Sequence, residues 1–197
     1  MVDILNMENN TAKHILDVAQ DMVRNRGYSA FSYADIAKQV GIRKASIHYH
    51  FPSKEELVKA LVTRYRENMA RMCDRIAQSD ATPGQQLLQF ANLYRKGLER
   101  NQICLCAMLA ADFAVLPQSV QAEIQTFFRE TETWLATLLQ QGCEAQLWAC
   151  QPSVEQEAKG AIAMLQGAQL LARASANSTA TFEQVVYPLL TAKFAHR

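Results

Sequence analysis

The chain has 197 residues, 49% of them hydrophobic and 20% charged, enough apolar material for one large domain or for a small one joined to a medium one. A net charge of +1 excludes a chain that coats nucleic acid along its whole length, and five irregularly placed cysteines exclude a secreted disulfide framework. The charge is unevenly placed: residues 1–66 hold ten Lys/Arg against seven Asp/Glu, residues 67–197 ten against twelve. A basic head on a slightly acidic body fits a local contact with DNA.

With only seven glycines and five prolines and no alternating apolar pattern, the chain reads as all-α, with about nine helices. Residues 1–9 are expected to be a loose leader. A helix follows from Thr11 to Arg26, its apolar face made by Ile15, Leu16, Val18, Ala19, Met22 and Val23, and Gly27 ends it. Tyr28 and Phe31 are expected to plug the core beneath what comes next. From Ser32 to Lys54 the sequence SYADIAKQVGIRKASIHYHFPSK reads as two short helices and a tight turn. Ser32 can cap the first, with Asp35 completing a capping box. Gly41 stops it, because glycine takes the left-handed conformation of a helix end at least cost. The second helix runs from Lys44 to Phe51 and is closed by Pro52. Between Ile36 and Lys54 every charged residue is basic: Lys38, Arg43, Lys44 and Lys54. A helix, a glycine turn and a short second helix with this charge make a helix-turn-helix suited to phosphates.

Lys54 to Ser79 contains no glycine or proline, and Leu57, Leu61, Tyr65, Met69, Met72 and Ile76 recur at helical spacing. That predicts a rod about 40 Å long. Thr82, Pro83 and Gln85 mark the start of a helix reaching Arg100. The nearly uncharged ICLCAMLAADFAVLP predicts a helical stretch stopped near Pro117. A longer helix is expected from Val120 to Gln141, ending at Gly142, and CEAQLWACQP is a connector. Ser153 with Gln156 opens a helix rich in small residues (Ala158, Gly160, Ala161, Ala163, Gly167, Ala168), which admits a close neighbour. Thr181 with Gln184 opens the last helix, where Phe182, Val185, Val186, Leu189, Leu190 and Phe194 line one side and Pro188 predicts a kink.

The segment DIAKQVGIRKASIHYHFPSKEEL closely resembles the DNA-binding segment of the TetR family of bacterial transcriptional regulators, with the family's spacing kept over residues 11–60. The resemblance implies a three-helix head, residues 1–53, and a helical ligand-binding and dimerisation domain, residues 54–197. It implies double-stranded operator DNA as partner, with contacts from Ser32, Tyr33, Arg43, Lys44, Ala45, Ser46, His48, Tyr49, His50 and Lys54. Tyr49, His50 and Lys54 match phosphate-binding positions. Arg43 stands where the family usually has a serine or threonine cap, giving up that cap for a possible base contact; Ala45 replaces glycine and His48 replaces tyrosine. Side chains near the start of the second helix meet base edges in the major groove.

The resemblance further implies a homodimer through the last two helices, about 153–175 and 181–195, released from DNA by a small-molecule effector. Met69, Met72, Phe90, Tyr94, Cys104, Met108, Phe113, Phe127 and Trp134 are candidate pocket residues, suited to an uncharged or weakly polar ligand. An alternative makes Cys104 a redox or electrophile sensor, since a cysteine stands there in several relatives and Arg100 could lower its pKa. A helical adaptor without DNA binding is the third reading. Catalytic constellations, cofactor motifs and metal-ligand spacings are not seen, so no enzyme, cofactor or metal is expected. The start MVDILNMENN lacks a signal-peptide pattern and no run reaches membrane-spanning length, so a cytoplasmic protein with no membrane partner is expected.

Overall fold

A computed structural model describes the backbone of residues 2–150 and 152–195, and the side chains of 10–150 and 152–192. Phe194 therefore lies outside the described side chains. Among the described residues there are nine α-helices and no strand. The helices are α1 (Val2–Arg26), α2 (Tyr33–Val40), α3 (Lys44–His50), α4 (Lys54–Ala77), α5 (Pro83–Leu98), α6 (Leu105–Ala111), α7 (Gln118–Glu144), α8 (Val154–Arg173) and α9 (Ser178–Ala195).

The chain forms two compact units. One takes in the residues up to Arg66 together with Leu105–Gln125; the other comprises Glu67–Cys104 and the residues from Thr126 onward. Helices α4 and α7 each contribute to both. In the first unit α1 packs on α2, α3 and α6, and Ile15, Ala19, Val23, Ile36, Ile47, Leu57 and Leu61 are fully or almost fully buried. In the second, α5, α8 and α9 pack on one another over Phe90, Leu87, Leu165, Phe182 and Val186.

Four boundaries depart from expectation, each for a local reason. α1 begins at Val2 rather than Thr11, because nothing before Gly27 breaks a helix. Gly27 (φ 84°) then closes it. The stretch after Cys104 makes only the short α6 and a 3-10 turn at Phe113–Val115. The carbonyls of that broken segment find a side chain instead: Gln121 Nε2 donates to Phe113 O and Leu116 O, both at 2.9 Å.

α7 runs through Gly142 to Glu144. Gly142 is there for room, since a Cβ at that position would lie 1.8 Å from Trp148 Cζ2. The connector folds back so that Trp148 is buried and its Nε1 donates to Leu139 O at 3.1 Å. α9 starts at Ser178, and Asn177 rather than Thr181 caps it, its Oδ1 accepting from the Ala180 N–H at 3.1 Å. Ser153 caps α8 as expected, accepting from the Gln156 N–H at 3.2 Å.

Candidate nucleic-acid interface

The two short helices of the head begin differently. At α2 the reciprocal box is closed: Ser32 Oγ accepts from the Asp35 N–H, and the Asp35 carboxylate accepts from the Ser32 N–H at 2.8 Å and from its hydroxyl at 2.7 Å. The Ser32 hydroxyl, then its N–H, hold the Asp35 pKa below the usual carboxylate value. Gly41 (φ 77°) ends the helix in the left-handed conformation, its N–H donating to Ala37 O. α3 starts with Arg43 in extended geometry (φ −75°, ψ 146°) and no side-chain cap.

Ile47 is fully buried, which turns the opposite side of α3 outward. Arg43, Lys44, Ala45, His48 and Tyr49 are exposed, and Ser46 and His50 are half-buried. Tyr49 is 70% exposed, unusual for so large a ring, with the His50 ring against it at 5.1 Å. His48 is held by the head itself, its Nδ1 3.2 Å from Pro52 O and its ring 4.7 Å from that of Tyr33.

The other two residues of the set point their polar ends at the chain. Tyr33 is buried and its hydroxyl donates to Phe51 O at 2.8 Å, tying the start of α2 to the end of α3. Burial, with Glu56 adding to it, pushes that hydroxyl up to about 12. Lys54 reaches back from the start of α4. Its ammonium donates to Tyr28 O at 2.7 Å and Phe31 O at 3.0 Å and lies 4.3 Å from the centre of each of those two rings. Burial lowers its pKa, and the Asp112 carboxylate opposes that shift. Asp112 also accepts from the Tyr28 N–H at 3.2 Å. One donor, bonding twice, and one acceptor thus fix the turn between α1 and α2. Sequence reading passed over Asp112, although it is the one charged residue in ICLCAMLAADFAVLP, and that isolation was its signal.

The pocket candidates fall in both units: Met108 and Phe113 in the first, the rest in the second. Within the second, the Phe90 ring meets those of Tyr94 at 5.5 Å and Trp134 at 5.1 Å, and Gln169 links Cys104 to Tyr94. Phe127 lies edge-on to Phe128. Met69 and Cys104 are buried, and Met72 is half-buried. A separate open groove of about 530 Å³ runs along Leu88, Gln89, Asn92, Arg95, Tyr187 and Thr191. No grouping of three or more His, Cys, Asp or Glu that could hold a metal ion occurs among the described residues. Nor is any helix among them long and apolar enough to cross a membrane.

A short basic helix, standing out from a glycine turn on a three-helix base, defines a helix-turn-helix DNA-binding protein. The sequence model for bacterial regulatory proteins of the tetR family matches residues 15–61. A TetR-family transcriptional regulator from Agrobacterium tumefaciens is 33% identical, over 95% of this chain and 99% of that one, with a TM-score of 0.90. A TetR transcriptional regulator from Legionella pneumophila is 31% identical, over 92% and 95%, with a TM-score of 0.84. Among curated proteins, the nucleoid occlusion factor SlmA of Marinobacter nauticus is 25% identical over 70% of each chain. The chain belongs to the TetR family, and it is a DNA-binding transcriptional regulator.

Proposed function

We propose that this regulator is a homodimeric repressor that leaves its operator when an uncharged, mainly apolar effector enters the helical body. The observation that carries the DNA half is the outward face of α3, where Arg43 and Lys44 stand exposed at the helix start, with no acidic residue anywhere in that helix. Arg43, Lys44, Ala45, Ser46, His48, Tyr49 and His50 then face the DNA, while Ser32, Tyr33 and Lys54 hold the reading helix in place. An arginine at that point reads guanine O6 and N7. The head is residues 1–53 and the effector and dimer domain residues 54–197.

The dimer half is supported by α8 and α9. Leu170, Leu171 and Leu189 are 59%, 68% and 56% exposed, and the space over Gly160 and Gly167 is open. Leucines bared beside glycines suit close packing by the same two helices of a second copy. The effector half is supported by the Phe90, Tyr94 and Trp134 rings and by the make-up of the interior: among the described residues no Asp, Glu, Lys or Arg is buried. An anionic ligand would find no buried lysine or arginine there to balance it. Thiol sensing at Cys104 is the weaker reading, because that residue is 2% exposed and an oxidant must reach sulfur to react with it.

A mobility-shift titration against the DNA flanking the protein's own coding region tests the proposal. Sequence-preferring binding that weakens with salt is expected. Absence of such binding would leave only a helical adaptor. Cys104→Ser is expected to leave release by an electrophile unchanged, and loss of that release would restore the thiol reading.

A further inference from the structure

Two glutamines lie one turn apart on α8, Gln169 buried and Gln166 half-buried, and differ completely in their surroundings. Gln169 is satisfied at both ends: its Oε1 accepts from the Cys104 N–H and its Nε2 donates to Tyr94 O, each at 2.7 Å. Gln166 has Oε1 and Nε2 both sealed from solvent, and neither has a hydrogen-bond partner among the described residues. The residue as a whole is half-buried, four residues after buried Ile162 and four before exposed Leu170, so that it stands at the margin of the buried face with its amide turned inward. A buried amide left unpaired at both ends is costly, and protein chains rarely leave one so.

Its level in the body follows from the helix directions. The Ser178 hydroxyl donates to Leu98 O at 3.4 Å, which sets the end of α5 beside the start of α9. The end of α8 reaches that same start through residues 174–177. α5 and α8 therefore run the same way, with Gln169 level with Tyr94. One turn back along both helices pairs Gln166 with the level of Phe90, whose ring packs on Tyr94 and Trp134.

Resting on the effector reading above, we infer that Gln166 is the polar anchor of the effector site. Its partner is a carboxamide or lactam edge, a carbonyl beside a free N–H, carried on an apolar uncharged body. Such an edge answers Gln166 at both atoms at once, its N–H donating to Oε1 and its carbonyl accepting from Nε2. A carboxylate is disfavoured, because once ionised it lacks the donor and no buried cation balances it. An ether or hydrocarbon leaves the glutamine as it was. The chain thus uses one glutamine to hold α5 and the Cys104 segment to α8, and keeps its neighbour for a ligand.

The test is calorimetric titration of the full-length protein with octanamide and with N,N-dimethyloctanamide, which keeps the carbonyl and chain but lacks the donor. The wild type is expected to bind octanamide about tenfold more tightly, as one additional buried hydrogen bond allows. Gln166→Leu is expected to bind both amides equally and, without ligand, to melt no lower than the wild type; Gln166→Met serves if the leucine variant does not fold. Three results would each overturn the inference: a wild type indifferent to the two amides or binding neither, a leucine variant that still distinguishes them, or one that melts lower without ligand, which would mean that an ordered water already satisfies the amide. A mobility shift on the same wild-type preparation keeps the two readings apart. Intact operator binding with no amide preference removes only the anchor, whereas no operator binding removes the regulator reading itself.

Discussion

The two compact units are held together by different means. In the first unit, apart from the long α1, the helices around the turn are short, seven or eight residues in α2 and α3, and each junction is fastened by a polar side chain on a backbone group. Tyr33 holds Phe51, Lys54 holds Tyr28 and Phe31, Asp112 holds Tyr28, and Ser32 and Asp35 hold each other. In the body the helices are long and meet over large fully buried side chains such as Phe90, Phe127 and Phe182. Short helices bury too little to fix their own angles, so the head depends on a few directional bonds where the body depends on area. Substitutions in the two units should accordingly fail in different ways.

The largest effect is expected in the body. Phe182→Ala removes a fully buried ring from the packing of α9 on α5 and α8, and urea unfolding should show a loss of about 3–5 kcal/mol. A loss near 1 kcal/mol would mean that the body collapses around the gap and that burial there is less decisive than the packing implies.

Next comes Lys54→Ala, which removes two charge-assisted hydrogen bonds and a cation lying over two rings. Stability should fall by about 1.5–3 kcal/mol. Operator affinity should fall by the same factor for every sequence, with the salt slope unchanged. A slope flatter by about one would assign the ammonium to a phosphate instead.

That position also shows where sequence reading stops. The capping boxes at Ser32 and Thr82, the stops at Gly27 and Gly41 and the apolar faces of α1 and α5 were legible because they are local: donor, acceptor and spacing all lie within a few residues. Lys54 matched a motif whose meaning comes from other chains, and its bonds here close over 23 and 26 residues. Gly142 read as a helix stop, but its purpose was set by Trp148 folding back on it. Gln169 was hidden in the same way, its partners lying 65 and 75 residues away. Nothing in a helical period tells a structural glutamine from one left open beside it.

Alkali should separate the units more finely. In the head, burial first and Glu56 second raise the Tyr33 hydroxyl from its ordinary 10.0 to about 12. In the body, burial first and Asp74 second raise the Cys73 thiol from 9.0 to about 12. Both groups hold their proton more tightly folded than unfolded, so each contributes stability that is complete below its ordinary pKa and is lost as pH rises toward 12. The Cys73 part begins to go near pH 9 and the Tyr33 part near pH 10. Urea midpoints from about pH 8 to about pH 11 should therefore fall in two stages, Cys73→Ala flattening the earlier and Tyr33→Phe the later. Unchanged slopes in both variants would assign the alkaline loss to other groups.

The smallest effect, and the one that bears most directly on recognition, is at Arg43. The backbone there already has the extended geometry of an N-cap residue, yet no side chain uses it. Arg43→Ser places a hydroxyl where it can accept from the Ala45 or Ser46 N–H, and α3 then begins as α2 does. Stability should rise by about 0.5–1 kcal/mol, which moves the melting temperature by about 1–4 °C in a chain of this size. If the arginine reads a base, operator variants differing at one base pair should then bind more nearly alike, since a lost bidentate contact removes about 1–3 kcal/mol of discrimination. A stabilised head with relaxed preference would show that the reading helix forgoes a cap to gain a contact. If affinity instead fell equally for all variants, Arg43 would be a phosphate contact, and the bare start of α3 would have no part in choosing the sequence.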